Sequence, residues 1–159
     1  MNRRNMLAIT ATLFTGLALA GKSAGAQQPA DIEAVKAAHQ SFYKALSARD
    51  AKAMEAVWAN KAYVINIGPR SKTIAVGYAD AVSQYWPKAF DALPKIAVTS
   101  TITQVQTDGK IAWVVGTETA NLQTKSGESL KLDIIVTNIF EKEGDRWLMV
   151  SHHAMPIPK

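Results

Sequence analysis

From Lys95 to Met155 the chain is a succession of extended segments cut by short glycine turns, and that run narrows the folds open to it more than any other feature. Asp108-Gly109, Ser126-Gly127 and Glu143-Gly144-Asp145 each separate stretches rich in Val, Ile, Thr and aromatic residues, the pattern of hairpin turns between strands. The expected strands are residues 95–107, 110–124, 130–141 and 146–155. Strands joined this tightly pair antiparallel, and the sheet they make needs one face covered.

The cover comes earlier in the chain. Ile32, Val35, His39, Phe42 and Leu46 recur at spacings of three and four, which predicts one amphipathic helix running from an Asp31 cap to about Arg49. Asp50 caps a second, shorter helix through Met54, Val57 and Trp58. Residues 63–67, β-branched and aromatic, read as a strand that stops at Gly68-Pro69, and residues 74–76 as a shorter one. A third helix is expected over 78–86. Pro87 should kink or end it and leave 88–93 as a separate turn. The fold class is therefore α+β, a strongly bent antiparallel sheet wrapped around three N-terminal helices.

Charge and cysteine usage remove whole classes of function. Of the formal +5, Arg3, Arg4 and Lys22 lie in the first 26 residues, and without them 15 Lys plus Arg face 13 Asp plus Glu, a net +2. No basic stripe remains for nucleic acid to bind. Those 26 residues have the three parts of a cleavable signal: Asn2-Arg3-Arg4, an apolar run from Met6 to Ala20, and Ala24-Gly25-Ala26 before Gln27. The apolar run is shorter than the ~20 residues of a spanning helix, so no membrane attachment is expected after cleavage. The arginine pair resembles a twin-arginine export signal, with the Sec route as the alternative. A periplasmic or secreted domain over 27–159 is the expectation. With no cysteine in the chain, disulfides, thiol redox chemistry and Cys-based metal sites are excluded.

Three segments carry a family resemblance that covers the whole of 27–159. Ala48-Arg49-Asp50 closes the first helix, Val76-Gly77-Tyr78-Ala79-Asp80-Ala81 opens the third, and Thr137-Asn138 leads through Gly144 and Trp147 to His153. In this order they resemble the SnoaL-like branch of the NTF2-like superfamily, the ketosteroid-isomerase-like cone fold. The resemblance implies a conical pocket between sheet and helices, frequent homodimers, and usually no metal or organic cofactor. Its members include isomerases, cyclases, dehydratases and epoxide hydrolases beside proteins that only bind or associate, so fold does not decide activity. Where the related pattern has Arg-x-Thr-Asp and then Trp-x-x-Val-His-x-His-x-Ser, this chain has Ile135, Thr137 and Asn138, then Ser151, His153 and Met155. An acid has become an amide and an imidazole a hydroxyl.

The candidate site follows from strand alternation. His152 and His153 point to opposite faces of a regular strand and cannot share a metal, so no metal site is expected. If Phe140 pairs with Trp147, then Trp147, Met149, Ser151 and His153 share the interior face with Asn138, Val136 and Ile134. On that register His153 is the candidate acid or base, with a histidine satisfied by a backbone carbonyl or dimer contact as the alternative. Tyr63, Asn138 and Ser151 would orient a small apolar ligand. His39 would reach the cavity from the first helix, and Trp58, Trp86 and Trp113 would line it or belong to plain core. With Ser126-Gly127 as a two-residue turn, Glu118 and Asp133 become diagonal neighbours on one face, an acid pair or a solvated surface. Arg70 and Lys72 either meet an anionic ligand at the mouth or are solvated loop charges. A non-catalytic ligand-binding or dimerisation module is the rival to an acid-base enzyme.

Overall fold

The computed structural model describes residues 29–158; the expected signal over 1–26, with its arginine pair, lies outside the described residues. Two helices open the chain, α1 (Pro29–Ala48) and α2 (Ala51–Val57). Strands β1 (Ile65–Ile67) and β2 (Ala75–Val76) follow, then a π-helical turn over Ala79–Ser83 and helix α3 (Tyr85–Ala92). Four long strands complete it: β3 (Lys95–Thr107), β4 (Ile111–Gln123), β5 (Ser129–Glu143) and β6 (Arg146–Pro156).

The six strands form one sheet in the order β2-β1-β6-β5-β4-β3. The long strands pair antiparallel as their turns require, but β1 runs parallel to β6, so the sheet is mixed. It does not close, and with the helices on its concave face it makes an α+β cone. Two bulges put extra twist into it, one between Ile102 and Gln104 on β3 and one at Val150 on β6. Opposite the first, Gly116 pairs with Ile102, and a Cβ there would lie 2.2 Å from the Thr101 carbonyl oxygen. No residue with a side chain fits where the two backbones approach so closely.

The helices are held by specific polar contacts as well as by packing. Asp50 caps α2, its carboxylate accepting from the Ala53 N–H at 2.9 Å. Arg49, at φ 55°, turns the chain between α1 and α2. Its guanidinium donates to the Phe90 and Pro94 carbonyls, binding the end of α3 to the end of α1. Asp31 lies inside the first turn of α1 rather than capping it, because the helix begins at Pro29. Its carboxylate accepts from Lys142 Nζ at 2.6 Å and from Trp147 Nε1 at 3.3 Å, which ties α1 to β5 and β6. Pro87 does not end the third helix. It sits in the first turn of α3, where a missing N–H costs nothing.

The core lies between these layers. Phe42 of α1 is at its centre, edge-on to Trp86 and Trp58 and close to His152. Met54, Val82, Phe140, Trp147 and Met149 close round it. No helix among the described residues is long and apolar enough to cross a membrane.

Candidate functional site

Burial along β6 runs in one phase through Trp147 and Met149 and in the other through His152 and Ala154, and the Val150 bulge causes the change. Before it Met149 pairs with Phe140; beyond it Ser151 pairs with Ile139 and His152 with Asn138. The expected interior set is therefore corrected at two positions. Trp147, Met149 and Asn138 do face inward, but Ser151 and His153 face out, and His152, 4% exposed, takes the interior place. Without the extra residue the doubled histidine would present His153 inside, as alternation predicts.

A second slip of one residue brings Glu118 inside. The turn between β4 and β5 is a five-residue loop, in which Thr124 N–H donates to the Glu128 carbonyl and Gln123 pairs with Ser129. Glu118 then pairs with Ile134 on the concave face and is 5% exposed, while Asp133 pairs with Thr119 on the outer face. The two acids are not neighbours on one surface.

Asn138 sits at the middle of a buried hydrogen-bond network built from five elements. Its Oδ1 accepts from His152 Nδ1–H at 2.7 Å. Its Nδ2 donates at 3.3 Å both to His39 Nδ1 and to the Tyr43 hydroxyl. His39 and Tyr43 are one turn apart on α1, so one helical face delivers both. His39 Nε2–H then donates to Ser100 Oγ on β3 at 3.0 Å, and Tyr43 donates to Glu118 Oε1 on β4 at 2.5 Å. The directions interlock: because the Asn138 amide donates toward α1, His39 must keep Nδ1 bare and carry its proton on Nε2. His152 in turn carries its proton on Nδ1 and keeps the Nε2 lone pair.

This network determines what can be charged. Burial pulls His152 down to about 3, with the charges of His153 and His39 opposing protonation further. Burial alone pulls His39 down to about 4. Both imidazoles are neutral at neutral pH. Burial also pushes the Glu118 carboxyl upward, against the Tyr43 hydrogen bond that lowers it. Tyr43 is driven far up by burial and by the neighbouring Glu118, so it remains a phenol and a donor.

Glu118 and His152 share the wall of an otherwise apolar cavity of about 100 Å³. Leu46, Trp86, Ile96, Val98, Ala120 and Ile134 supply much of the rest. The second Glu118 oxygen, Oε2, and His152 Nε2 make no hydrogen bond among the described residues, so both are free to meet a guest. Gly68 forms part of the rim, where a Cβ would lie 2.7 Å from the Tyr85 hydroxyl. An imidazole held near 3 is a poor base, whereas burial makes the Glu118 carboxylate a stronger one than an exposed glutamate side chain in water. The group suited to proton transfer is thus Glu118, with Tyr43 positioning it and His152 offering an acceptor.

The other sequence candidates fall elsewhere. Tyr63 is 54% exposed and donates to Glu141 Oε2, which together with its neighbours raises its own pKa at the surface. Trp113, 43% exposed, lies on the outer face beside Ile139. Trp58 is core against Phe42, Trp86 lines the cavity, and His39 and Asn138 are spent on the network. Tyr43 was missed, although its place four residues after His39 is a signal that the sequence contains. Among the described residues no three His, Asp or Glu side chains converge as a metal would need.

Comparison with known proteins agrees with this architecture. A family profile described as a SnoaL-like domain matches residues 35–158. A candidate dehydratase of the NTF2-like family from Streptomyces avermitilis superposes with a TM-score of 0.74 at 22% identity, over 83% of this chain and 100% of that one. A candidate calcium/calmodulin-dependent protein kinase type II association domain from Thiobacillus denitrificans gives 0.66 at 30% identity, over 77% of this chain and 94% of that one. Among curated proteins, the F-box protein SKIP8 of Arabidopsis thaliana is 29% identical over 130 residues, 79% of this chain and 50% of its own length. The chain thus spans about half the length of the curated relative it matches.

Proposed function

Since the chain belongs to the SnoaL-like domain family, we propose that it binds a small, largely apolar molecule in the concave cavity and moves a proton on it with Glu118. The observation that carries this reading is one apolar wall holding a raised carboxyl with a free oxygen and a neutral imidazole with a free nitrogen. Glu118 Oε2 would take a proton from a carbon next to a carbonyl, or give one to a departing hydroxyl. Isomerisation, dehydration and cyclisation all need that step. Tyr43 would hold the carboxyl in place and His152 Nε2 would accept a hydrogen bond from the guest. His153, on the outer face, has no part in it.

The test is solvent-deuterium exchange at the carbon next to the carbonyl of small cyclic ketones, followed by NMR. Wild type should accelerate exchange and Glu118→Gln should abolish it with binding retained. Equal exchange by both, at matched folding, would refute the proton-transfer reading.

A second reading, association, is supported by a separate observation. Ile111, Trp113, Ile135 and Met155 are exposed large apolar residues, and strand register puts them on the outer sheet face with Ile139. A patch of this kind suits a second copy of the chain. The name of the Thiobacillus relative, an association domain, points the same way. We therefore propose a homodimer through this face, compatible with a ligand in the cavity. Trp113→Asp should yield monomer by light scattering with the fold intact; an unchanged mass would exclude this face. We further propose export to the periplasm or the medium, for which N-terminal sequencing should read Gln27 first; an intact Met1 would refute cleavage.

A further inference from the structure

The cavity that holds Glu118 and His152 borders a wider groove of about 500 Å³. Pro69, Tyr85, Leu93 and Leu122 line both, and the remaining walls of the groove are Arg70, Ser71, Lys72, Thr73, Ala75 and Asp80. A polar groove therefore adjoins the apolar cavity across shared walls, and forms its mouth. The mouth carries two cations and one carboxylate, a local net charge of +1 from Arg70, Lys72 and Asp80.

Those cations are not consumed by the fold. Ion pairs among the described residues engage Lys36, Lys61, Lys125 and Lys142, whereas Arg70 and Lys72 have none. The loop carrying them is ordered from within. Ser71 N–H donates to the Gly68 carbonyl at 3.0 Å, and the Gly68 N–H donates to Ser71 Oγ at 2.8 Å. This tight turn begins at the residue that forms the cavity rim, so the position of Arg70 is set relative to the opening.

We infer that the mouth is an anion subsite, and that the guest is an apolar molecule ending in a single negative charge, a carboxylate, held by Arg70 and Lys72. The inference rests on the proposed function of the cavity and names the class of molecule it takes. Size agrees with it. A cavity of about 100 Å³ is smaller than the roughly 150 Å³ apolar cavities that hold benzene, so it admits little more than one small ring or short chain. Anything longer must extend into the groove, where the cations are. One carboxylate balances the net +1, whereas a phosphate ester with two charges loses more hydration on entering and leaves an excess charge beside Asp80.

Three probes separate the possibilities: benzoate, benzamide and phenyl phosphate, titrated into wild type and an Arg70→Gln/Lys72→Gln double variant and followed by amide NMR shifts at Trp86, Leu93 and Leu122. Two solvent-facing contacts at roughly two- to fivefold each predict benzoate binding about tenfold tighter than benzamide in wild type at low salt. That preference should shrink toward unity at about 0.5 M salt. The double variant should bind both equally, with benzamide affinity unchanged. Equal affinities in wild type, or a preference that survives the double substitution, would overturn the anion subsite while leaving the cavity reading intact. Phenyl phosphate binding more tightly than benzoate would overturn the assignment of a single charge. If none of the three shifts the cavity resonances, the cavity reading itself falls and the subsite with it.

Discussion

Acidification should unfold this protein through two histidines rather than through its surface carboxylates. His39 and His152 are buried and neutral, at about 4 and about 3 in the folded chain against 6.5 in the unfolded one. A base whose pKa falls on folding contributes stability that is fully present above 6.5 and is lost as pH falls toward the folded value. At pH 5 the unfolded state has bound nearly a full proton at each histidine and the folded state almost none, so each costs about 2 kcal/mol and the two about 4 kcal/mol. Glu118 works the other way. Its folded pKa is raised, so it favours the folded state as pH falls and offsets part of that loss. Against a total stability of about 5–15 kcal/mol, the net loss is large. Urea midpoints measured from pH 7.5 to 4.5 should fall steeply below 6.5, and Glu118→Gln should steepen the fall. Histidine ring NMR should show neither His39 nor His152 titrating above pH 5. A midpoint constant to pH 5, or titration of either buried ring near 6.5, would refute the network as described.

Three further outcomes follow from single contacts. Tyr43→Phe removes the hydrogen bond to Glu118 and the acceptor for Asn138, and should cost about 1–3 kcal/mol by denaturation while raising Glu118 further. An unchanged Glu118 titration would show that the phenol does not hold it. Gly116→Ala forces a Cβ against the Thr101 carbonyl and should cost at least about 1–3 kcal/mol, read as a lowered Tm; an unchanged Tm would mean the β3 bulge can relax. Arg49→Ala should release the end of α3, seen as faster amide exchange at Leu93 with α1 protection kept.

Local signals carried the sequence reading where one element decides the outcome, and failed where register between elements decides it. The Asp50 cap, the long strands and the inward face of Trp147, Met149 and Asn138 depend on residues within a turn or strand of each other, and all are found. His153 and Glu118 depend on counting residues through a bulge and a loop. One extra residue at Val150 exchanges His153 for His152, and three more in the β4–β5 loop than a two-residue turn allows part Glu118 from Asp133. The Val150 bulge has no glycine or proline to announce it, and Gly127 marks the β4–β5 turn without giving the loop length. Pro87 misled for a different reason: it reads as a terminator, yet the π-helical turn before it lets α3 begin two residues upstream of the proline. Tyr43 could have been found, since a histidine and a tyrosine four apart on a buried helical face point the same way.

The central claim is that Glu118 is a raised, ligand-facing carboxyl, and ¹³C NMR of its side-chain carboxyl through a pH titration tests it most directly. The account predicts a midpoint above the ordinary glutamate value, moving again when a small ketone fills the cavity. A midpoint in the ordinary glutamate range, unmoved by any cavity-filling molecule, would contradict it.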